Sequence, residues 1–141
     1  MTDVLIVGAG PAGLTAAIYA RRASKSVVVL EAKACGGQII NTPDIENYPV
    51  EAHISGFDFA TKLYEQAKAL GAEIVFRKAV ELKKNGDGSF TVVTPKGEYE
   101  AKTVILATGS ENRKLGAEDE DRLVGRGISY CATCDGAFYR K

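Results

Sequence analysis

The run Val4-Leu5-Ile6-Val7 stops at Gly8-Ala9-Gly10-Pro11-Ala12-Gly13, and no other stretch narrows the fold as far. A short, apolar, β-branched run reads as a strand buried on both faces of a parallel sheet. After the glycines, good helix formers place Leu14, Ala17, Ile18 and Arg21 at helical spacing. Ser26 to Glu31 is then a second β-rich run, closing a βαβ unit of about 30 residues. In the spacing G-x-G-x-x-G each glycine has its own reason. Gly8 permits the sharp turn out of the strand, Gly10 lets a pyrophosphate approach the backbone, and Gly13 lets the helix pack closely on the sheet. Pro11 is tolerated because an N–H in the first helical turn has no intrahelical partner, and the remaining amides face the phosphates. Glu31 ends the second strand about 20 residues further on, where a carboxylate accepts hydrogen bonds from a ribose. The whole context predicts dinucleotide binding.

Composition removes other classes. A chain of 141 residues with 45% hydrophobic content suits an ordinary globular core. Eighteen basic residues balance eighteen acidic ones, so no summed field favours nucleic acid or an anionic membrane. The start of the chain lacks the basic segment of a signal peptide, and no apolar run reaches transmembrane length, so a cytoplasmic location is expected. Three cysteines, Cys35, Cys131 and Cys134, give only one close pair, which does not describe an extracellular disulfide framework.

Further along, Ala34 to Gly56 reads as a long loop of functional character, and Phe57 to Leu70 resumes helical spacing with Gly71 as its stop. Ala72 to Phe76 reads as a third strand. From Ala79 the pattern becomes an antiparallel meander of three short strands, with turns at Asn85-Gly86 and Pro95-Lys96-Gly97, the last strand being Tyr99 to Ala101. Thr103 to Ala107 reads as a separate, fully buried strand leading to Thr108-Gly109. Gly116 to Leu123 reads as a solvated, charged connector. Tyr19, Phe57 and Tyr64 are expected in the core, Cys35 as a free small hydrophobe, and His53 on the surface without a partner nearby in sequence.

A glycine-fingerprint βαβ unit, a meander and a strand ending in Ala107-Thr108-Gly109 is similar to the flavoproteins that carry two dinucleotide-binding domains. The segments GGQIINTPDIENYP, from Gly36, and GRGISYCATCDGAFY, from Gly125, together resemble the bacterial-type low-molecular-weight thioredoxin reductases over the whole chain. The resemblance implies an α/β fold: a Rossmann-like FAD-binding domain of the glutathione reductase type, three-layered, with a parallel sheet and an inserted antiparallel β-meander. It implies that residues 1–113 are the N-terminal part of the FAD domain. Residues 114–141 would be a connector and the start of the NADPH and redox domain. Gly8, Gly10, Pro11, Ala12 and Gly13 match the FAD pyrophosphate turn and Glu31 the adenosine-ribose carboxylate. Gly36, Gly37 and Gln38 match a segment against the flavin and ribityl chain, Asn47 a polar contact near the flavin, and Ala107, Thr108 and Gly109 a stretch touching the cofactor. Cys131 and Cys134 match the redox pair, with Cys134 nearer the flavin, Cys131 attacking the substrate disulfide, and Asp135 the proton donor. Electrons would run from NADPH through FAD to the pair and on to thioredoxin or a related disulfide protein.

Elementary chemistry is compatible with those roles. A Cys-x-x-Cys pair closes a disulfide with little backbone movement, and the thiolate attacks a partner disulfide through a mixed disulfide. Asp135 also fits a turn or cap. Zinc is the competing use of the pair, but Cys35 and His53 lack companion ligands at finger-like spacing, so no metal is expected. Relative to the family the fold is expected to be incomplete: no second glycine fingerprint for NADPH is read after Cys134, and lack of the segments that complete the flavin domain would leave an unpaired edge or an exposed apolar face. A fragment of a reductase, one part of an assembly with a complementary chain, and a non-catalytic FAD-binding module are the three accounts, of which the fragment fits best; a homodimer is the other partner expected.

Overall fold

The computed structural model describes residues 1–139, with the side chains of Thr133, Cys134 and Ala137 outside the description. The chain divides into two compact units, Met1–Gly109 and Ser110–Lys141.

In the first unit the strands and helices follow the hydrophobic pattern. β1 (Thr2–Val7) leads through the glycine turn into α1 (Pro11–Arg22) and back to β2 (Val27–Glu31). After the long loop come α2 (Gly56–Ala69) and β3 (Glu73–Phe76), then β4 (Glu81–Lys84), β5 (Phe90–Thr94) and β6 (Gly97–Leu106). One sheet holds them all, in the order β3-β2-β1-β6-β5-β4, with β3, β2, β1 and β6 parallel and β4 and β5 antiparallel.

Alternation along β1 sends neighbouring side chains to opposite faces. Ile6 packs with Val27, Val29, Leu14, Ala17 and Ala67, beneath α1 and α2. Leu5 points the other way and packs with Leu30 and with Val92 and Ala101 of the meander strands. Leu5 and Ile6 are completely buried, each contributing about 2 kcal/mol of transfer free energy. Helices α1 and α2 therefore pack on one face of a mixed sheet in which the meander continues from β6, an α/β fold with an inserted meander.

The separate strand expected at Thr103 to Ala107 is instead the second half of β6. Ala101 pairs with Phe90 of β5 and with Thr2 of β1, so one strand passes without a break from the antiparallel ladder into the parallel one. Nor is this half fully buried: Val104 and Ile105 are half-buried and Leu106 is 63% exposed. The β5 pairing ends at Ala101, and beyond it β6 has one ladder partner among the described residues. Two aromatic expectations also fail. Tyr19 and Phe57 are exposed, and only Tyr64 packs against the core. Tyr19 lies one position off the buried stripe of Leu14, Ala17 and Ile18, and Phe57 occupies the first turn of α2 ahead of the buried pair Phe59 and Ala60.

Polar staples fix the start of the sheet and the helix ends. Asp3 accepts from Lys102 Nζ at 2.7 Å, from Ser26 N–H at 2.9 Å and from Ser26 Oγ at 2.8 Å, and these donors hold its carboxyl well below the usual carboxylate range. Arg21 donates to the carbonyls of Leu70 and Lys25, tying the end of α1 to the end of α2. Ser55 caps α2, accepting the Asp58 amide at 3.0 Å. The long loop has a small core of its own, Ile45, Ile54 and Phe59, with Tyr48 edge-on to Phe59 at 4.8 Å. In it His53 is exposed but does have a partner, Asp44, whose Oδ2 lies 2.8 Å from Nδ1.

The second unit carries two short helices, α3 (Glu120–Leu123) and α4 (Ala132–Asp135), followed by a 3-10 turn at Gly136–Tyr139.

Two outcomes are expected from this packing. A Cβ on Gly13 would overlap the Gly8 carbonyl oxygen, so Gly13→Ala should cost about 3 kcal/mol and lower Tm by roughly 10 °C in a circular dichroism melt. The Asp44 hydrogen bond and charge raise the His53 pKa above the ordinary histidine value of 6.5. Its contribution to loop stability is therefore complete below that value and disappears as pH rises through the raised midpoint. The NMR titration of this single histidine should show the raised midpoint, and Asp44→Asn should return it to the ordinary value.

Candidate functional site: a nucleotide cradle and a cysteine turn

The cradle forms where β1, β2 and β6 end side by side. Gly8 N–H donates to the Leu30 carbonyl at 2.8 Å, and Ala107 N–H donates to the Val7 carbonyl at 2.8 Å. Gly8 turns with φ of +107°, and a Cβ there would strike the Ala107 carbonyl oxygen. The turn thus brings Gly8, Ala107 and the Thr108 amide together. Thr108 and Gly109 follow as exposed residues.

Around Gly10 the geometry is open. A Cβ there would find its nearest neighbour, the Gly36 carbonyl oxygen, 4.0 Å away. Helix α1 begins with Pro11, Ala12 and buried Gly13, has no side-chain cap, and carries no acidic residue in its first turn. Its N-terminal amides and positive dipole end are left for an anion. By contrast α2 has both a Ser55 cap and Asp58 in its first turn. Uncapped amides, an open glycine and a carboxylate at the end of β2 are a donor and acceptor set that fits the pyrophosphate and ribose of a dinucleotide such as FAD.

Glu31 is already engaged with the turn. Its Oε2 accepts the Ala9 amide at 2.8 Å and its Oε1 the Lys33 amide at 2.8 Å. Gly36 N–H donates to the Ala9 carbonyl at 2.7 Å, and Gly37 faces the Gly10 backbone so closely that an added Cβ would lie 3.5 Å from the Gly10 Cα. The second glycine pair is therefore folded against the first. Gln38 follows on the exposed side of the 3-10 turn Gly37–Asn41. Asn47 is exposed on the loop between Ile45 and Tyr48, and among the described residues it bonds to no member of the glycine turn. Cys35 is a free, half-buried thiol, and burial together with the Glu31 charge pushes its pKa up to about 11. A cavity of about 430 Å³ lined by Asp44, His53, Asp58 and Lys62 contains no residue of the glycine turn.

In the second unit Cys131 is disulfide-bonded. The side chain of Cys134, the other half of the expected pair, lies outside the described residues. Asp135 N–H donates to the Cys131 carbonyl at 3.0 Å, closing one helical turn around the cysteines. The Asp135 carboxylate accepts from Ser129 Oγ at 2.7 Å.

Here the composition of the connector misleads. Glu120, in the run expected to be solvated, is only 6% exposed. It accepts the amides of Leu115 at 3.1 Å and Gly116 at 2.7 Å and the hydroxyl of Tyr130, whose oxygen in turn accepts the Leu115 amide at 2.9 Å. A buried carboxylate satisfied in this way tethers the residue immediately before Cys131. Charge composition gives no sign of this. The local signal is the tyrosine immediately before the cysteine motif.

With this geometry in hand, comparison with known proteins is specific. Residues 2–141 match the pyridine nucleotide-disulphide oxidoreductase family. The chain is 50% identical over 139 residues to a thioredoxin reductase of Treponema pallidum, covering 98% of this chain and 45% of that one. The crystal structure of a thioredoxin reductase from Streptococcus pyogenes superposes with a TM-score of 0.86 at 49% identity, over 100% of this chain and 46% of that one. A Lactococcus lactis thioredoxin reductase gives 0.83 at 40% identity, with 100% and 46% covered. The chain thus spans a little under half the length of the relatives it matches. With its βαβ glycine turn, mixed-sheet α/β fold and cysteine turn, it belongs to the pyridine nucleotide-disulphide oxidoreductase family.

Proposed function

We propose that this chain provides the FAD-binding portion and the redox-active cysteines of a thioredoxin reductase. In this reading electrons pass from NADPH through FAD to Cys131 and Cys134, and from there to thioredoxin or a related disulfide protein. The observation that carries it is the disulfide at Cys131, within a turn closed by Asp135, in a chain that also forms an uncapped dinucleotide cradle. Among the described residues the free thiol is Cys35, whose raised pKa suits a packing role rather than exchange.

The chain's own residues divide the work. The amides at the start of α1 hold the pyrophosphate, Gly10 gives it room, and Glu31 meets the adenosine ribose while bracing the turn. Gly36, Gly37, Gln38, Asn47 and Ala107 to Gly109 line the flavin side. When bound, the flavin supplies an electron pair to the disulfide. Cys131, as thiolate, attacks the partner disulfide, Cys134 resolves the mixed disulfide, and Asp135 exchanges protons with the thiols. Residues from Ser110 onward begin the redox domain. Among the described residues no helix is long and apolar enough to cross a membrane.

Photoreduction of the FAD-loaded chain should yield two new thiols, while Cys134→Ser should keep its flavin and yield none. Equal loss of flavin and thiols in that variant would instead make the pair structural. Gly10 has φ of −77° and no close neighbour, so Gly10→Ala should fold normally. By flavin fluorescence titration it should bind FAD about tenfold more weakly, a loss of roughly 1.4 kcal/mol. With a pKa of about 11, Cys35 is thiolate at neutral pH to roughly one part in ten thousand. Mass spectrometry after reduction and brief iodoacetamide treatment at pH 7 should accordingly find label on Cys131 or Cys134 and not on Cys35.

A further inference from the structure

Ser129 stands two residues before Cys131, and its hydroxyl joins groups that the cysteine motif alone does not connect. Its Oγ lies 2.7 Å from Asp135 Oδ2, accepts the Cys131 amide at 3.2 Å, and lies 3.3 Å from the Cys131 carbonyl oxygen. A hydroxyl has one proton to donate. The contact to Asp135 has the length of a good O–H···O⁻ hydrogen bond, whereas the carbonyl contact is at the weak end of the range, so the proton goes to Asp135. The result is a directed chain from the Cys131 amide through the Ser129 hydroxyl to the Asp135 carboxylate. A second connection, from Asp135 N–H to the Cys131 carbonyl at 3.0 Å, closes the same turn through the backbone. The approach to this turn is held as well, because Tyr130 is bonded to buried Glu120.

We propose that Ser129 is a positioning residue for thiol-disulfide exchange, its hydroxyl holding the Asp135 carboxylate in one orientation beside the Cys131 peptide while it exchanges protons with the thiols. A backbone bond alone leaves the Asp135 side-chain torsions free. The hydroxyl removes that freedom and ties the carboxylate to the peptide of Cys131. Misorientation by even a fraction of an ångström lowers the rate of a proton transfer that needs hydrogen-bond geometry. This inference rests on the reading of Cys131 and Cys134 as the redox pair.

The reaction that tests it is oxidation of the reduced pair by dithiobis(nitrobenzoate). Cys131 attacks the reagent, its disulfide breaks, and one thionitrobenzoate leaves. Cys134 then attacks the Cys131 sulfur of the mixed disulfide, releasing the second thionitrobenzoate and completing the protein disulfide. The reagent gains the two electrons that the dithiol loses, and the proton of the second thiol passes to Asp135 and on to solvent.

The 141-residue chain is used in a Cys35→Ala background, reduced with dithiothreitol and desalted, with release of the second thionitrobenzoate followed by stopped flow. Ser129→Ala should slow this step by about tenfold, against the larger effect expected of Asp135→Asn. Ser129→Thr, which keeps the hydroxyl, should recover the rate to within about twofold of the parent. In the Asp135→Asn background, Ser129→Ala should produce no further loss, because the two residues act as a unit. An unchanged rate in Ser129→Ala, an additive loss in the double variant, or failure of Ser129→Thr to recover while retaining the parent melting curve would each overturn the proposal. If the parent releases no second thionitrobenzoate at all, it is the redox-pair reading that fails, so the two failures are distinguishable.

Discussion

Helix α1 starts where it does because Gly13 brings a bare backbone against the carbonyl of Gly8. Most of the first unit depends on that approach. It sets the angle at which α1 lies across the sheet, and through Leu14, Ala17 and Ile18 it determines what covers Ile6 and Val29. The same contact leaves the first amides of α1 pointing out of the end of the sheet, uncapped, beside the ends of β2 and β6. Core packing and the placement of the α1 amides therefore share one steric origin at Gly13.

Much of this was legible in the sequence, and for a definite reason. A glycine spacing encodes backbone geometry directly, so Gly8, Gly10, Gly13 and Glu31 could be placed without knowledge of distant contacts. Gly36 and Gly37 could not be positioned from their spacing alone, but resemblance assigned them to the same site and the Gly36 to Ala9 hydrogen bond joins them to it. Asn47 and Gln38 differ: their expected partner is a cofactor, which a pattern of spacing does not encode. The strand boundary failed at Lys102 because a charged residue between two β-rich runs looks like an interruption. In the fold it sits on a strand whose hydrogen bonds, not its side chains, maintain continuity.

Burial was harder to read than periodicity. Tyr19 and Phe57 show that an aromatic near a buried stripe is not necessarily in it, since one residue of helix is a rotation of about 100°. Glu120 shows the converse. Its burial depends on two amides and a tyrosine hydroxyl brought together by the connector's path, and a run of acidic residues conceals which member is enclosed. Ser129 belongs with Glu120: a small polar residue whose meaning lies in the direction of one hydroxyl proton. Sequence motifs single out the atoms that react, and are silent about those that aim them.

The carboxylate of Glu31 has a consequence for how such a cradle can diverge. Both of its oxygens are already bonded to backbone amides, those of Ala9 and Lys33. Any lone pair it offers to a ligand belongs to a side chain that also holds the loop closed. Replacing it to favour a different sugar or phosphate would leave the Ala9 amide without its acceptor and loosen the turn before any new ligand could be tested. A substitution at this position therefore acts on the fold of the turn itself, because the Ala9 amide must find another acceptor.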